Sequence, residues 1–474
     1  MKHVHLIGIG GTGMSAIARV LLEMGYQVSG SDQHASSYFD ALQQAGANTY
    51  LGHAADNVWG ADLVIRSSAV RDDNPEVVAA KATGIPVLKR ADVLELLMLN
   101  QLPLAVAGTH GKTTTTAMLI CMLESMGQDP SYIIGALIKQ LNANAKAGKG
   151  AYFVIEADEY DYMFLGLNPW VSVVTNIEHD HPDCFPTFEI YRQAFKDFLD
   201  RTRKNGSALL CLDDPGLKAL LPELSTRDYQ VLTYGLDKAA DYQAHNLHVN
   251  KQNCPTFDLV FKTKEGLLLE LGCCSLQIPG DHNVLNALAA LAVIHRLGLP
   301  MDKALAGLAA FQGTERRFDV AAEIDGVVII NDYAHHPTQI RTTLQAARQR
   351  YPNSQLWVVW EPHTYSRPAA LAPDFIEVLN QADQVIITQV YAAREVDNGY
   401  TPKPIAEALS SGKGQYIPDF TDVVAHLMDR LGQQDVVLVL SAGNAPQISA
   451  LLQKALEKER KAANQADGND LNED

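Results

Sequence analysis

Cysteine is scarce in this sequence, and the spacing of the few cysteines excludes two kinds of site. The chain has 6 cysteines among 474 residues, no two of them form a C-x-x-C pair, and Cys273 and Cys274 are adjacent. This arrangement fits neither a disulfide framework nor the ligand spacing of a structural zinc site.

Long apolar runs are also missing. No run approaches the roughly 18 apolar residues that a membrane span requires, and no basic segment followed by a long apolar stretch marks a signal peptide. We therefore expect a cytoplasmic protein that does not insert into a membrane.

Positive charge is in deficit. The chain has 38 Lys and Arg against 55 Asp and Glu, which gives a formal net charge of −17. Such a field opposes broad binding to nucleic acid or to an anionic membrane, but it does not exclude an anionic small molecule in a local pocket. The hydrophobic fraction of 47% is ordinary for a globular protein and excludes disorder of the whole chain.

Short runs rich in Val and Ile alternate with helical patterns along most of the chain, which predicts an α/β fold with parallel sheets. The length suggests about three domains, and three sets of such elements are visible. We place the domains at residues 1–102, 103–313 and 314–460. The polar and acidic segment 461–474 is predicted to be a disordered tail.

A glycine-rich motif follows the first predicted strand. Residues 5–15 read HLIGIGGTGMS, and Asp32 follows the next strand. Glycines at positions 8, 10 and 13 of such a segment allow a pyrophosphate to approach a helix N-terminus, and an acid like Asp32 can accept a ribose hydroxyl. Taken alone, the motif indicates a dinucleotide, with NAD as the default, although a purely structural tight turn would look the same.

A second glycine loop changes that interpretation. Residues 104–116 read LAVAGTHGKTTTT, a strand, a loop and the start of a helix. Lys112 can neutralise phosphate charge and the Thr113 hydroxyl can bind Mg²⁺, as in phosphate loops of ATP-binding proteins. The usual first glycine is replaced by Val106. The segment still predicts ATP and Mg²⁺ as ligands.

Carboxylates and histidines follow the next two predicted strands. Glu156 ends an apolar strand, a position from which it can reach Mg²⁺, whereas Asp158, Glu159 and Asp161 are interpreted as a solvated acidic turn. The segment 175–183, TNIEHDHPD, brings two histidines and three acids together and predicts a further metal or phosphate site.

The remaining motifs lie further along the chain. Asn283 and Asn286 are one helical turn apart, so both amides could face a flat ligand such as adenine. Arg316 and Arg317 form either a solvated pair or a phosphate contact. The segments 331–337 (NDYAHHP) and 361–367 (EPHTYSR) follow two apolar strands that we take as neighbours.

In their order, these motifs resemble those of the Mur ligase family, the ATP-dependent amide-forming enzymes of peptidoglycan synthesis. The motifs that carry the resemblance are GIGGTGMS, SGSD, RSSAV, AGTHGKTTTT, EADEYD, TNIEHDH, GDHNVLNA, RRF, DYAHHP and HTYSR. The resemblance implies a Rossmann-like UDP-sugar-binding domain, a central ATPase domain and a Rossmann-like C-terminal domain. It is strongest to the branch that joins L-alanine to UDP-N-acetylmuramate through an acyl phosphate.

The resemblance also implies a role for each matching position. It assigns phosphate binding to the loop Gly108, Thr109, His110, Gly111, Lys112, Thr113 and Thr114, Mg²⁺ to Thr113, Glu156 and His181, adenine to Asn283 and Asn286, further nucleotide contacts to Arg317 and Asp332, substrate carboxylates to His335 and Arg367, and the UDP part to Gly8, Gly10, Gly11, Gly13, Asp32, Ser67 and Ser68. The implied partners are small-molecule substrates, without nucleic acid, for a monomer or homodimer.

Three positions depart from the alanine-adding pattern. Thr364 stands where an Arg is usual, Tyr160 where Ser is common and Glu361 where Gln is common, and the last two changes resemble a recycling relative that attaches a preformed tripeptide. Lys196 lies near the region where some Mur ligases carry a carbamylated lysine. The acceptor therefore stays open among L-alanine, glycine, L-serine and a tripeptide, and an NAD-dependent dehydrogenase is the alternative from another class.

Overall fold

The computed structural model describes residues 2–393 and 395–470, of which 462–470 are described as backbone only. The chain forms two compact units. The first unit comprises residues 1–248, 256–276 and 283–312, and the second comprises 249–255, 277–282 and 313–474. One border between the units lies between Gln312 and Gly313, and most of the domains predicted at 1–102 and 103–313 fall in the first unit. The division into three domains stays a prediction.

The first unit begins with a parallel five-stranded sheet in the order β3-β2-β1-β4-β5. Because the strand order reverses at β1, the loop after β1 lies where parallel sheets bind their ligands. The elements are β1 (His3–Ile7), α1 (Thr12–Glu23), β2 (Gln27–Asp32), α2 (Ser37–Gln44), β3 (Asn48–Leu51), β4 (Leu63–Arg66), α3 (Pro75–Ala82), β5 (Val87–Lys89) and α4 (Arg90–Leu97).

The second sheet of this unit has ten strands in the order β15-β14-β13-β12-β11-β10-β6-β9-β7-β8. Its central strand β6 pairs in parallel with both β10 and β9. The elements are β6 (Leu102–Ala107), α5 (Lys112–Ser125), β7 (Ser131–Ile138), β8 (Ala143–Lys146), β9 (Tyr152–Glu156), β10 (Val171–Val174), α6 (Phe188–Leu199), β11 (Ser207–Cys211), α7 (Pro215–Leu224), β12 (Gln230–Gly235), β13 (Tyr242–Val249), β14 (Pro255–Lys262), β15 (Leu268–Ser275), α8 (His282–Arg296) and α9 (Met301–Ala309).

The second unit contains a six-stranded sheet in the order β16-β17-β21-β18-β19-β20. Alternate residues of β17, β18 and β21 fill cores on both faces of the sheet, as expected of strands buried by helices on two sides. The elements are β16 (Asp319–Ile324), β17 (Val327–Asp332), α10 (Pro337–Arg350), β18 (Leu356–Trp360), α11 (Ser366–Ala370), α12 (Ala372–Leu379), β19 (Gln384–Ile387), α13 (Lys403–Glu407), β20 (Gly414–Tyr416), α14 (Phe420–Met428), β21 (Val436–Leu440) and α15 (Pro446–Asp470).

The structure corrects three expectations. The pairs β7/β8, β14/β15 and β16/β17 are antiparallel, so the ten-stranded and six-stranded sheets are mixed, whereas the first sheet is parallel throughout. Strands β17 and β18 are not neighbours, because β21 lies between them and pairs with both. Helix α15 continues to Asp470, which differs from the disordered tail predicted from residue 461; three of the residues 461–470 are Ala, the strongest helix former. Residues 471–474 lie outside the described part.

Within the described residues, the helices are all too short or too polar to cross a lipid bilayer.

A buried carboxylate ties the first sheet to α3. Glu76 is fully buried and accepts hydrogen bonds from Ser31 at 2.5 Å and Asn57 at 2.6 Å, while its Oε2 lies 3.7 Å from Nε2 of the buried His5. Burial raises the pKa of Glu76, but the contacts with His5, Ser31 and Asn57 outweigh it and lower the pKa to about 2. The Glu76 carboxylate is therefore charged although it is buried between the first sheet and α3.

We expect Glu76→Gln to lower the free energy of unfolding by about 2–4 kcal/mol at pH 7, because a buried charge loses its network. A carboxylate whose folded pKa is depressed stabilises the fold above its ordinary pKa of 4.5, and this stabilisation is lost as the pH falls toward about 2. The gap between the variant and the wild type should therefore shrink from pH 5 to pH 3 in urea unfolding. The exposed Asp73→Asn is the control, and a gap independent of pH would contradict the assignment.

Candidate active site

The second glycine loop, which the sequence predicts to bind phosphate and which we call the phosphate loop, occupies residues 108–111, between the end of β6 and the start of α5. Gly108 has φ +135°, and a Cβ there would lie 2.0 Å from the Thr175 hydroxyl. Gly111, the residue before α5, has φ +83°, and a Cβ there would lie 2.5 Å from Oδ1 of Asn286. The loop backbone thus passes closer to its neighbours than any side chain would allow, with the helix N-terminus behind it.

The segment after β10 holds this loop in place. The Thr109 hydroxyl donates to the Glu178 carbonyl at 2.9 Å and accepts from the Glu178 amide at 2.9 Å. The His110 amide donates to Asn176 Oδ1, and Asn176 Nδ2 donates back to the His110 carbonyl, both at 2.9 Å. Asn176 and Glu178, predicted as part of a metal or phosphate cluster, therefore support the loop.

Lys112 is held by a buried carboxylate. Its ammonium donates to the carbonyls of Gly108 and Thr109 and lies 2.8 Å from Oε2 of Glu159, which is 1% exposed. Burial lowers the pKa of Lys112, but the charge of Glu159 outweighs it and raises the pKa. Burial also raises the pKa of Glu159 to about 7.

The interpretation of Glu159 as part of a solvated acidic turn is therefore wrong. Its neighbours Asp158 and Asp161 are partly and fully exposed, as expected. Glu159 turns inward because the backbone leaves β9 and enters a distorted 3₁₀ segment, in which Asp161 and Tyr162 both have φ +54°. Residue spacing alone gives no sign of this reversal.

The predicted metal ligands come from three elements of this unit. The Thr113 hydroxyl donates to Oε1 of Glu156 at 2.8 Å, and Oε2 of Glu156 accepts from the Gly135 amide at 2.7 Å. His181, with φ +54°, places its Nε2 3.7 Å from Oε1 of Glu159. Thr113 and Glu156 are thus adjacent, and His181 reaches the same region through Glu159.

The two asparagines of α8 lie beside the phosphate loop. Asn286 Nδ2 donates to Asn283 Oδ1 at 3.0 Å, and Asn286 Oδ1 accepts from the Thr115 hydroxyl at 3.1 Å. Both amides are buried. Their proximity to Gly111 agrees with a place near a nucleotide, and their contact with adenine stays a prediction.

The first glycine motif is built around Asp32. Oδ2 of Asp32 accepts from the Gly10 amide at 2.9 Å, and Gly8, with φ +84°, packs against Ser67. Ser68 is exposed on the same loop. The first glycine loop is thus held by the carboxylate of Asp32 at the end of β2. Its binding of UDP stays a prediction.

Arg90 is a further residue of this site that the sequence motifs did not indicate. A Cβ at Gly13 would lie 2.3 Å from its guanidinium, and its Nη2 lies 3.3 Å from Oδ2 of Asp158. Arg90 therefore extends from the first glycine loop to the segment that follows β9. It stands at the start of a helix with nothing in the local sequence to mark a ligand contact.

Lys196 does not join the cluster around Lys112. It lies on α6, and its ammonium is 2.5 Å from Oε2 of Glu223, which also pairs with Arg192.

The second unit gathers its own polar cluster. The carboxylate of Asp332 is buried and accepts from the amides of Phe318 and Ala334 at 2.8 Å. Burial raises the pKa of Asp332, and the charge of Arg317 opposes that rise. The guanidinium of Arg317 stacks over Tyr333 at 4.6 Å.

The segments after β17 and β18 meet in this unit. The rings of His335 and His363 are 5.3 Å apart, and Arg367 Nη1 lies 3.1 Å from Nδ1 of His363. Thr364 has φ +62°, and its amide donates to the Tyr391 carbonyl at 2.9 Å. The predicted pair His335 and Arg367 is thus joined through His363, although β21 separates the two strands.

Two acids that were not assigned a role fix these loops. Glu395 accepts from the amides of Tyr365 and Ser366, at 2.6 and 3.0 Å. Glu361 is buried and accepts from the Ser441 hydroxyl at 2.5 Å and the Ala445 amide at 3.1 Å.

Comparison with known proteins agrees with this organisation. The family models described as "Mur ligase family, catalytic domain", "Mur ligase middle domain" and "Mur ligase, glutamate ligase domain" match residues 3–101, 106–294 and 316–443. The chain belongs to the Mur ligase family. The matched residues include strands of all three sheets. Membership of this family replaces the alternative of an NAD-dependent dehydrogenase.

Curated relatives are similar over almost their whole length. The UDP-N-acetylmuramate–L-alanine ligase of Alkaliphilus metalliredigens is 40% identical over 455 residues, covering 95% of this chain and 97% of the relative. The ligase of the same name from Solidesulfovibrio magneticus is 41% identical over 469 residues, covering 98% of this chain and 99% of the relative.

Solved structures are similar as well. The UDP-N-acetylmuramate–alanine ligase of Thermotoga maritima has a TM-score of 0.80 at 28% identity, covering 97% of this chain and all of that one. A murein peptide ligase from Psychrobacter arcticus has a TM-score of 0.71 at 24% identity, covering 96% of this chain and 99% of that one, and shows the shared fold.

We expect Gly108→Ala to lower the free energy of unfolding by about 2–5 kcal/mol, because the methyl group would overlap Thr175 and the backbone angle would be strained. Gly127→Ala is the matched control. Gly127 also has a positive φ, of +70°, but nothing lies within 4 Å of its Cβ position, so a loss of about 1–2 kcal/mol is expected. Urea unfolding followed by circular dichroism measures both, and equal losses would show that close packing at Gly108 is unimportant.

Proposed function

We propose that this protein joins L-alanine to the lactyl carboxylate of UDP-N-acetylmuramate, with ATP cleaved to ADP and phosphate. The observation that carries the proposal is the site of the first unit, where Lys112, Thr113 and Glu156 meet at a glycine loop in a chain about 40% identical to alanine ligases. Phosphoryl transfer from ATP requires groups that neutralise phosphate charge beside ligands for a metal ion.

In this scheme the substrate carboxylate attacks the γ-phosphorus of ATP, which forms the acyl phosphate and releases ADP. The amine then attacks the carbonyl carbon, and the resulting tetrahedral intermediate expels phosphate to leave the amide. Lys112 and the amides of residues 108–113 offset the negative charge of the transferring phosphoryl group. The first glycine loop with Asp32, Ser67 and Ser68 holds the UDP part.

The residues around Glu156 suit Mg²⁺. A hydroxyl and a carboxylate lie 2.8 Å apart at the end of a strand, and oxygen donors of this kind are the ligands that Mg²⁺ prefers. Thr113, Glu156 and His181 are the residues that would hold the ion, which supplies charge for the phosphates when bound.

Asn283 and Asn286, beside the phosphate loop, are proposed to contact adenine, and four further assignments lie in the second unit. Arg317 and Asp332 are proposed nucleotide contacts, and His335 and Arg367 are proposed to orient substrate carboxylates. Their support is the His335–His363–Arg367 cluster, which offers one guanidinium and imidazole donors to an anion. Thr364 supplies a hydroxyl where a second guanidinium is usual, so the acceptor amine needs a direct test.

We expect phosphate release to require UDP-N-acetylmuramate, Mg²⁺ and L-alanine together, because the acyl phosphate forms on the sugar nucleotide and the amine consumes it. A coupled phosphate assay with L-alanine, glycine, L-serine and the tripeptide as acceptors measures this. Turnover with the tripeptide equal to or above that with L-alanine would move the assignment to the recycling reaction.

Glu156→Ala should lower kcat at least 10³-fold while leaving UDP-N-acetylmuramate affinity within about twofold, because the metal and the sugar nucleotide occupy different loops. Asp161→Asn, an exposed acid of the same segment, is the control and should keep full activity. Calorimetry with the sugar nucleotide gives the affinity. Loss of that affinity in Glu156→Ala would contradict the separation of the two sites.

A further inference from the structure

Glu159 lies at the centre of a buried chain of polar groups that no motif explains. Its carboxylate is 2.8 Å from the Lys112 ammonium and accepts from the Tyr191 hydroxyl at 3.2 Å. The Tyr191 hydroxyl is also 3.0 Å from the Thr109 hydroxyl, which holds the loop to Glu178. One carboxylate thus touches the lysine and, through Tyr191, the loop that carries it.

The surroundings give this chain little freedom. Tyr191 is fully buried, and its ring packs edge-on against Phe185 and Phe195 at 4.9 and 5.1 Å. Its hydroxyl position is therefore set by aromatic packing of α6. Because Glu159 is itself 1% exposed, solvent does not compete for the ion pair.

We propose that Glu159 is a positioning residue for nucleotide binding, which orients the Lys112 ammonium toward the phosphates and couples it to the loop through Tyr191. This inference rests on the nucleotide site proposed above. An ammonium on a flexible four-carbon stem binds best when its position is fixed before the ligand arrives. Three acceptors, two of them loop carbonyls and one Glu159, fix it here.

The geometry favours this role over two others. A residue that served only folding would not need its carboxylate beside the one lysine of the phosphate loop. A metal ligand would keep its carboxylate available to an ion, whereas the Glu159 carboxylate already pairs with the Lys112 ammonium and accepts from the Tyr191 hydroxyl, and it approaches the proposed metal ligand His181 only to 3.7 Å.

The test is a double-mutant cycle of ADP affinity, measured by calorimetry with and without Mg²⁺. We expect Glu159→Gln to weaken ADP binding at least fivefold in the otherwise unchanged protein. In a Lys112→Met background the same change should alter the affinity less than twofold, because the residue through which Glu159 acts is gone. Asp161→Asn should stay within twofold of the wild type.

Every other result of the double-mutant cycle contradicts one part of the proposal. Equal effects of Glu159→Gln in both backgrounds, or an effect seen only with Mg²⁺, would overturn the positioning role in favour of a structural or metal role. Tighter ADP binding would show that Glu159 competes with phosphate, which also overturns it. If the wild type itself binds no ADP, the proposed function fails first.

A second variant covers the case in which Glu159→Gln does not fold, and UDP binding reports the state of the first sheet. Tyr191→Phe removes only the hydroxyl that links Glu159 to Thr109 and keeps the aromatic packing. We expect it to weaken ADP binding about threefold with UDP affinity unchanged, and unchanged ADP affinity would overturn the coupling through Tyr191.

Discussion

The close approach of the phosphate loop to the end of β10 constrains the rest of the first unit. Gly108 and Gly111 both have positive φ, and both lack room for a Cβ. Since β6 ends directly before the loop and α5 begins directly after it, this approach fixes where the helix N-terminus, Lys112 and Thr113 can lie. The loop thus lies at the carboxyl ends of the parallel strands, which is where such sheets bind their ligands.

The net negative charge of the chain does not describe the surroundings of the phosphate loop. The formal charge is −17, and every substrate of the proposed reaction except L-alanine is a net anion. Acidic side chains near the loop are each occupied: Glu156 by Thr113 and Gly135, Glu159 by Lys112 and Tyr191, and Glu178 by His110. Because these carboxylates already have donors, they order the loop and its lysine.

In the second unit, too, carboxylates hold loops with unusual backbone angles in place. Its loops carry left-handed residues at Arg316, Phe318, Thr364 and Ala393, which are uncommon for side chains other than Gly and Asn. Such strain persists only where surrounding hydrogen bonds fix the backbone. Asp332 provides one at Phe318, and Glu395 provides one at Tyr365, directly after Thr364. The side chains of His335 and Arg367 meet through His363 as a consequence.

The sequence by itself determined the α/β class, most strands that precede a motif, and the family. These follow from local periodicity and from short motifs whose spacing is set by a single strand, loop and helix. Only the tertiary structure decided that Glu159 pairs with Lys112, that Arg90 reaches Gly13, and that β21 separates β17 from β18. Those outcomes depend on positive backbone angles and on contacts between residues 47 or more positions apart, and neither leaves a periodic trace in the chain.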